Sequence, residues 1–186
     1  MKNPMKKLCS VVVASLLCAS CGTQAPESVE DAGPSPMPYG NLAQMMRVIP
    51  FPNSNLIYDA GGEDPEEAKK ALEASGGATA RYGSIYAGWQ QVENAALALS
   101  ETANLLMIPG RLCENGKPVP NDAADFKEFT AMLASAGQAA YTAAQTKDLD
   151  QMLAVGETVT EACSACHEVY RDKDDNADRC TTPAAE

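Results

Sequence analysis

The stretch DLDQMLAVGETVTEACSACHEVYR, Asp148 to Arg171, carries a helix signal and a chemical motif together. Asp148, with Gln151 three residues on, reads as a capping-box-like start, because a carboxylate there accepts from amides that the first turn leaves unpaired. Beyond it Met152, Gly156, Val159, Cys163, Cys166, His167 and Tyr170 recur at helical spacing and share one face. A helix to about Arg171 with that face turned inward is the expectation. His167, the only histidine in the 186 residues, lies on it directly after Cys166.

Three further segments repeat the pattern. Asn41 is placed to cap a first helix bearing Leu42, Met45, Met46 and Ile49, which Pro50 and Pro52 interrupt before a continuation over Asn53 to Tyr58. The polar segment Gly61 to Gly77 holds at most one short helix, after Pro65. A second long helix is expected from Gly83 to Met107, with Tyr86, Trp89, Val92, Ala96, Leu99, Ala103 and Leu106 in register, stopped by Pro109 and Gly110. After the loop RLCENGKPVPN, Asn121 is the expected cap of a third, Asp122 to Thr146, whose face carries Phe126, Phe129, Leu133, Ala136, Ala140 and Ala143. Four helices with one apolar stripe each and short connections predict an all-α chain folded as an antiparallel four-helix bundle.

The chemistry follows from Cys163, Cys166 and His167. C-x-x-C-H is the attachment pattern for haem c. Two thiols one helical turn apart form thioethers with the two vinyl groups of the porphyrin, and the adjacent imidazole reaches the iron. With 7 cysteines and 1 histidine in the chain, roughly 0.001 chance matches are expected, so the motif is a signal. A thioredoxin-like C-x-x-C would open a helix after a strand, and a structural zinc site would need four Cys or His ligands. Neither rival suits a strand-poor chain with a single histidine. No nucleophile and base remain for hydrolysis, and the chain is not expected to be an enzyme.

The run Cys163, Cys166, His167, Tyr170 and Arg171 at the end of the last helix of a bundle resembles the cytochrome c prime family and its low-spin, methionine-ligated relatives. The likeness is specific at the motif and architectural elsewhere. It implies one covalent haem c, His167 as proximal iron ligand, and Tyr170 and Arg171 in the haem environment. Trp89 is expected in the core or against the porphyrin, and Arg81, Arg111 and Arg171 are candidates for pairing with propionates. The proline-broken first helix, the polar segment 61–77 and the cysteines Cys113 and Cys180 depart from the family.

The far side of the iron is left to the first helix. Met46 is the candidate distal ligand, since the resembled low-spin relatives place theirs just before a basic residue and Arg47 follows. Met45 is the alternative, about 100° away around the helix, and both as core filling is the third reading. Methionine ligation suits single-electron transfer, which makes an exported monohaem c-type cytochrome the expected function. The alternative is a five-coordinate haem protein that binds NO or CO.

The N-terminus bears on compartment. Met1 to Lys7 holds three lysines and no acid, and the apolar run Leu8 to Leu17 is too short to span a bilayer, so residues 1–20 read as an export signal. LLCASCGTQ further resembles a lipoprotein signal, with Cys21 the candidate for lipidation and ordinary cleavage nearby the alternative. Residues 21–39 are rich in Pro, Ser, Gly and Glu and read as a flexible tether. The cytochrome domain is expected over 40–186.

Losing Lys2, Lys6 and Lys7 with the signal takes the formal charge from −11 to −14. Such acidity argues against nucleic acid as a partner and favours redox proteins with a basic docking face. Membrane contact is expected only through lipid at Cys21, and both a monomer and a homodimer remain open. The bacterial periplasm is the expected location. There the leftover Cys113 and Cys180 most economically pair, contributing about 4 kcal/mol on the chain-entropy view. The run DKDDNAD, Asp172 to Asp178, lacks the glycine and final glutamate of a calcium loop and reads as a solvated acidic tail.

Overall fold

Asn41 does cap the first helix. In the computed structural model, which describes residues 35–182, its side chain accepts from the Gln44 amide at 2.8 Å, and the Gln44 side chain accepts from the Asn41 amide at 2.9 Å. This opens α1 (Leu42–Val48), and α2 (Pro50–Asp59) follows after Ile49 alone. The continuation therefore begins at Pro50 rather than Asn53. Both prolines fit there because first-turn amides have no partner within the helix. The export signal, Cys21 and most of the expected tether lie outside the described residues.

The polar segment holds one helix, α3 (Pro65–Ala74), capped by Asp64. The next expected helix is not continuous. A 3-10 turn over Ala80–Tyr82 and the short α4 (Gly83–Tyr86) precede α5 (Trp89–Leu106), and the break falls where Ala87 is extended and Gly88 takes φ +70°. That backbone conformation is open to glycine and strained for other residues.

The third long helix, α6 (Ala124–Thr146), starts two residues later than expected and has no side-chain cap. Asn121 is used differently: its Nδ2 donates to the Met107 carbonyl at 3.4 Å, tying the loop to the end of α5. Lys147, left-handed with φ 56°, and Asp148 alone join α6 to α7 (Leu149–Tyr170), so the two run antiparallel. Asp148 accepts from the Gln151 amide at 3.1 Å, which is half of the expected box.

α5 packs on α6, α6 on α7, and α2 on both α5 and α7. The α1–α2 pair with α5, α6 and α7 thus makes four bundle members, and the described residues contain no strand. One core cluster gathers Ile57, Trp89, Leu99, Met152 and Val159 among alanines, and a second gathers Met45, Leu106, Phe126, Leu133 and Tyr170. Small residues set the spacing between helices. A Cβ on Gly137 would lie 2.7 Å from Ser100 N and 2.9 Å from Ala96 O, so α5 and α6 approach there too closely for any side chain.

The loop 107–123 pins the two ends of the domain. Arg111, buried, donates to the Gly40 carbonyl at 2.7 Å and to the Leu105 carbonyl at 3.2 Å, while the Leu42 amide donates to Leu112 O at 2.8 Å. On its other flank Asn115 Nδ2 donates to Asn176 O and Arg179 O, and Cys113 is disulfide-bonded to Cys180. The segment Asp172 to Asp178 is accordingly not a free tail. Asp175 caps a 3-10 turn at Asn176–Asp178, and the Cys180 amide returns to Tyr170 O at 2.9 Å. No helix among the described residues is long and apolar enough to cross a membrane.

Candidate functional site

The last turns of α7 present Cys163, Cys166 and His167 to one cavity of about 460 Å³. α1 and α2 supply a second wall with Met46, Pro50, Phe51 and Tyr58. A third is built by the loop and the returning segment, through the Cys113–Cys180 disulfide, Asn115 and Arg179. Phe126 and Tyr170 complete an aromatic lining, with their rings edge-on at 5.5 Å.

Among the described residues the two motif cysteines are the free thiols, and both are half-buried. Burial pushes the Cys166 thiol up to about 11, with Cys163 and Asp125 adding to the effect and Arg171 opposing it. Burial also raises Cys163, again against Arg171. A thiol-disulfide centre needs its thiolate stabilised, so this setting is the reverse of a reactive dithiol's. His167 is shifted down by burial and by Arg171, with Asp172 opposing, and is held neutral near pH 7. Neutral imidazole is the form that ligates a metal.

Tyr170, buried, donates from its hydroxyl to Asp125 Oδ1 at 2.6 Å. Burial and that hydrogen bond to a carboxylate raise its pKa. Charge at the cleft comes from Arg47, Arg171 and Arg179, each beside an acid: Arg47 lies 2.7 Å from Glu114, Arg171 2.7 Å from Asp172 and Arg179 4.0 Å from Glu114.

These residues fit haem c. Two free thiols and a neutral imidazole, one turn of helix apart, meet at an apolar cavity within the usual size range of cofactor sites. Cys163 and Cys166 would hold the group through thioethers and His167 would take the iron. Zinc does not fit: among the described residues no group of three or more His, Cys, Asp or Glu side chains is placed to hold a metal ion.

Residues 116–171 match the family described as Cytochrome C'. Over this stretch the chain is cytochrome c prime-like. The match covers the loop after Cys113, α6 and the whole of α7 with the motif. Proteins of that family bind haem c covalently, typically one per chain, and the matched stretch holds the two thiols and the imidazole that would attach it here. No curated protein and no solved structure matches the chain.

The structure separates the two methionines. Met46 lines the cleft; Met45 is buried in the second core cluster and does not. Of the two places expected for Trp89 the structure takes the core: it is buried at the start of α5 in the first core cluster, and its placing against the porphyrin is corrected, since it is not part of the cleft lining. Arg111 and Arg81 are corrected likewise. Arg111 is spent on backbone carbonyls, and Arg81 stacks on the Tyr82 ring, 5.6 Å from its centroid. Of the expected cations only Arg171 reaches the site.

Sequence reasoning passed over Arg47, Phe51, Tyr58, Phe126 and Arg179. Arg47 had a signal in its place beside Met46. Arg179 had one in its place beside Cys180, but a disulfide between Cys113 and Cys180 says nothing of which helix end the bridge lies against.

Proposed function

We propose that this cytochrome is an exported carrier of single electrons and not an enzyme. The observation that carries the reading is Met46, which lines the same cleft as His167 from the opposite pair of helices while Met45 is buried in the core. A thioether sulfur on that wall would let Met46 serve as a second iron ligand beside His167, and a site whose ligands do not change with redox state exchanges electrons with little reorganisation.

The protein's own part is holding and exclusion. Cys163 and Cys166 fix the group to α7, and the disulfide holds the returning segment as a wall. Phe51, Phe126 and Tyr170 keep the cavity apolar. Bound haem c would supply the one-electron couple. Export is supported by the lysine-led apolar start of the chain, and lipid on Cys21 would tether the domain to a membrane surface.

A visible spectrum of the holoprotein tests this. The reading expects a low-spin iron with a methionine-to-iron charge-transfer band, unchanged by CO. A high-spin spectrum that shifts with CO overturns it in favour of a five-coordinate protein for NO or CO.

A further inference from the structure

Tyr58 lines two cavities. One is the cleft of Cys163 and His167; the other is an outward groove of about 410 Å³ where the end of α2 meets the flank of α7. The helices meet there because glycines permit it. A Cβ on Gly61 would lie 3.0 Å from Leu153 Cα, and one on Gly156 would lie 3.5 Å from Tyr58 Cδ1, so the ring rests on bare helix.

Two features of the groove bear on docking. Leu153 and Tyr58 are exposed large side chains in its lining, 60% and 38% accessible. Glu157 and Glu161, one turn apart on α7, line it as well, and among the described residues neither takes part in an ion pair. The arginines at the cleft are by contrast set beside Glu114 and Asp172. Uncompensated charge next to large exposed side chains is therefore found at the groove and not at the cleft's arginines. Tyr58, which lines both cavities, joins the groove to the cleft.

We propose that this groove is the docking site for a redox protein presenting a lysine- or arginine-rich face, with Leu153 and Tyr58 as its apolar centre and Glu157 and Glu161 as its charged rim. The proposal rests on the electron-carrier reading above. Carboxylates without partners attract a basic face at long range and fix its approach, and salt weakens both effects. The apolar centre then supplies close contact once water is expelled.

The test uses the reduced holoprotein and two one-electron oxidants of opposite charge. Tricationic tris(phenanthroline)cobalt(III) is reduced to cobalt(II), and trianionic hexacyanoferrate(III) to hexacyanoferrate(II), the protein giving up one electron in each case. At low ionic strength the Glu157→Gln/Glu161→Gln double variant should react about tenfold more slowly with the cobalt complex. Glu101→Gln/Glu128→Gln, which changes net charge equally on α5 and α6, should lose much less. Equal losses in the two variants overturn the groove as the site. Hexaamminechromium(III), paramagnetic and redox-inert, gives a readout free of electron transfer: it should broaden the amide signals of residues 153–161 first, and first broadening elsewhere also overturns the proposal. If the carrier reading itself fails, the spectrum shows it beforehand as a high-spin, CO-binding iron. A low-spin protein without a local charge effect sinks the docking site alone.

Discussion

The Tyr170 hydroxyl donates to Asp125 Oδ1 at 2.6 Å, joining the end of the motif helix to the first turn of α6. The bond closes the bundle at the end where the cleft lies. A hydrogen bond to a charged acceptor contributes about 1.5–3 kcal/mol, so Tyr170→Phe should lower stability by about that amount in a urea titration of the holoprotein.

The same pair predicts an alkaline dependence. Tyr170's folded pKa is raised above its unfolded value of about 10. Its contribution is then complete below pH about 10 and is lost as pH rises beyond that. Stability of the wild type should fall more steeply above pH about 10 than that of Tyr170→Phe; parallel curves would show that the phenol does not govern this range.

Met46→Ala and Met45→Ala should fail in different ways. The first, at the cleft wall, should turn a low-spin spectrum high-spin. The second empties a core position and should cost about 2–5 kcal/mol in a denaturant titration while leaving the spin state alone. A spin change in Met45→Ala alone would reverse the assignment.

Gly137→Ala should destabilise the fold by about 1–3 kcal/mol, since the added methyl meets backbone atoms of α5 rather than the end of a pliable side chain. Gly110→Ala serves as its comparison. There nothing lies within 4 Å of the added Cβ, and the cost comes from φ +82° alone.

Replacing Cys113 and Cys180 together by serine should lower stability by about 2–4 kcal/mol, read from the denaturant midpoint. The same variant loosens one wall of the cleft. The holoprotein's haem spectrum should therefore become sensitive to denaturant before the helices melt by circular dichroism, whereas wild type should lose both signals together.

Thiol chemistry checks the setting of the motif before haem is attached. In chain produced without haem, alkylation of Cys166 by iodoacetamide should rise with pH toward a midpoint of about 11, because burial holds the thiol protonated. A midpoint below the ordinary cysteine value of about 8.5 would instead indicate an activated thiol.

Much of this protein was decided by local rules. Helical period, caps at Asn41 and Asp148, and the prolines at 50, 52 and 109 act within a few residues, so the long helices could be read directly. Cys163, Cys166 and His167 could be read for the same reason: their geometry is that of a single helix, whatever packs against it. The errors of reading have the same origin. Asn121 resembles a cap locally, but its amide is drawn to Met107 across the loop, and Gly88 breaks a helix whose apolar period runs on unbroken.

Tertiary structure alone decided what faces the motif. Met45 and Met46 are adjacent in sequence and alike in chemistry; only the face that α1 turns to the rest of the bundle sends one into the core and the other to the cleft. The arginines at the cleft were fixed in the same way, by the loop and disulfide that bring Arg179 round while Arg111 is consumed inside. Trp89 was excluded from the site by its place at the far core. Contacts between residues distant in sequence depend on packing the whole bundle at once, and no local pattern of the sequence encodes that.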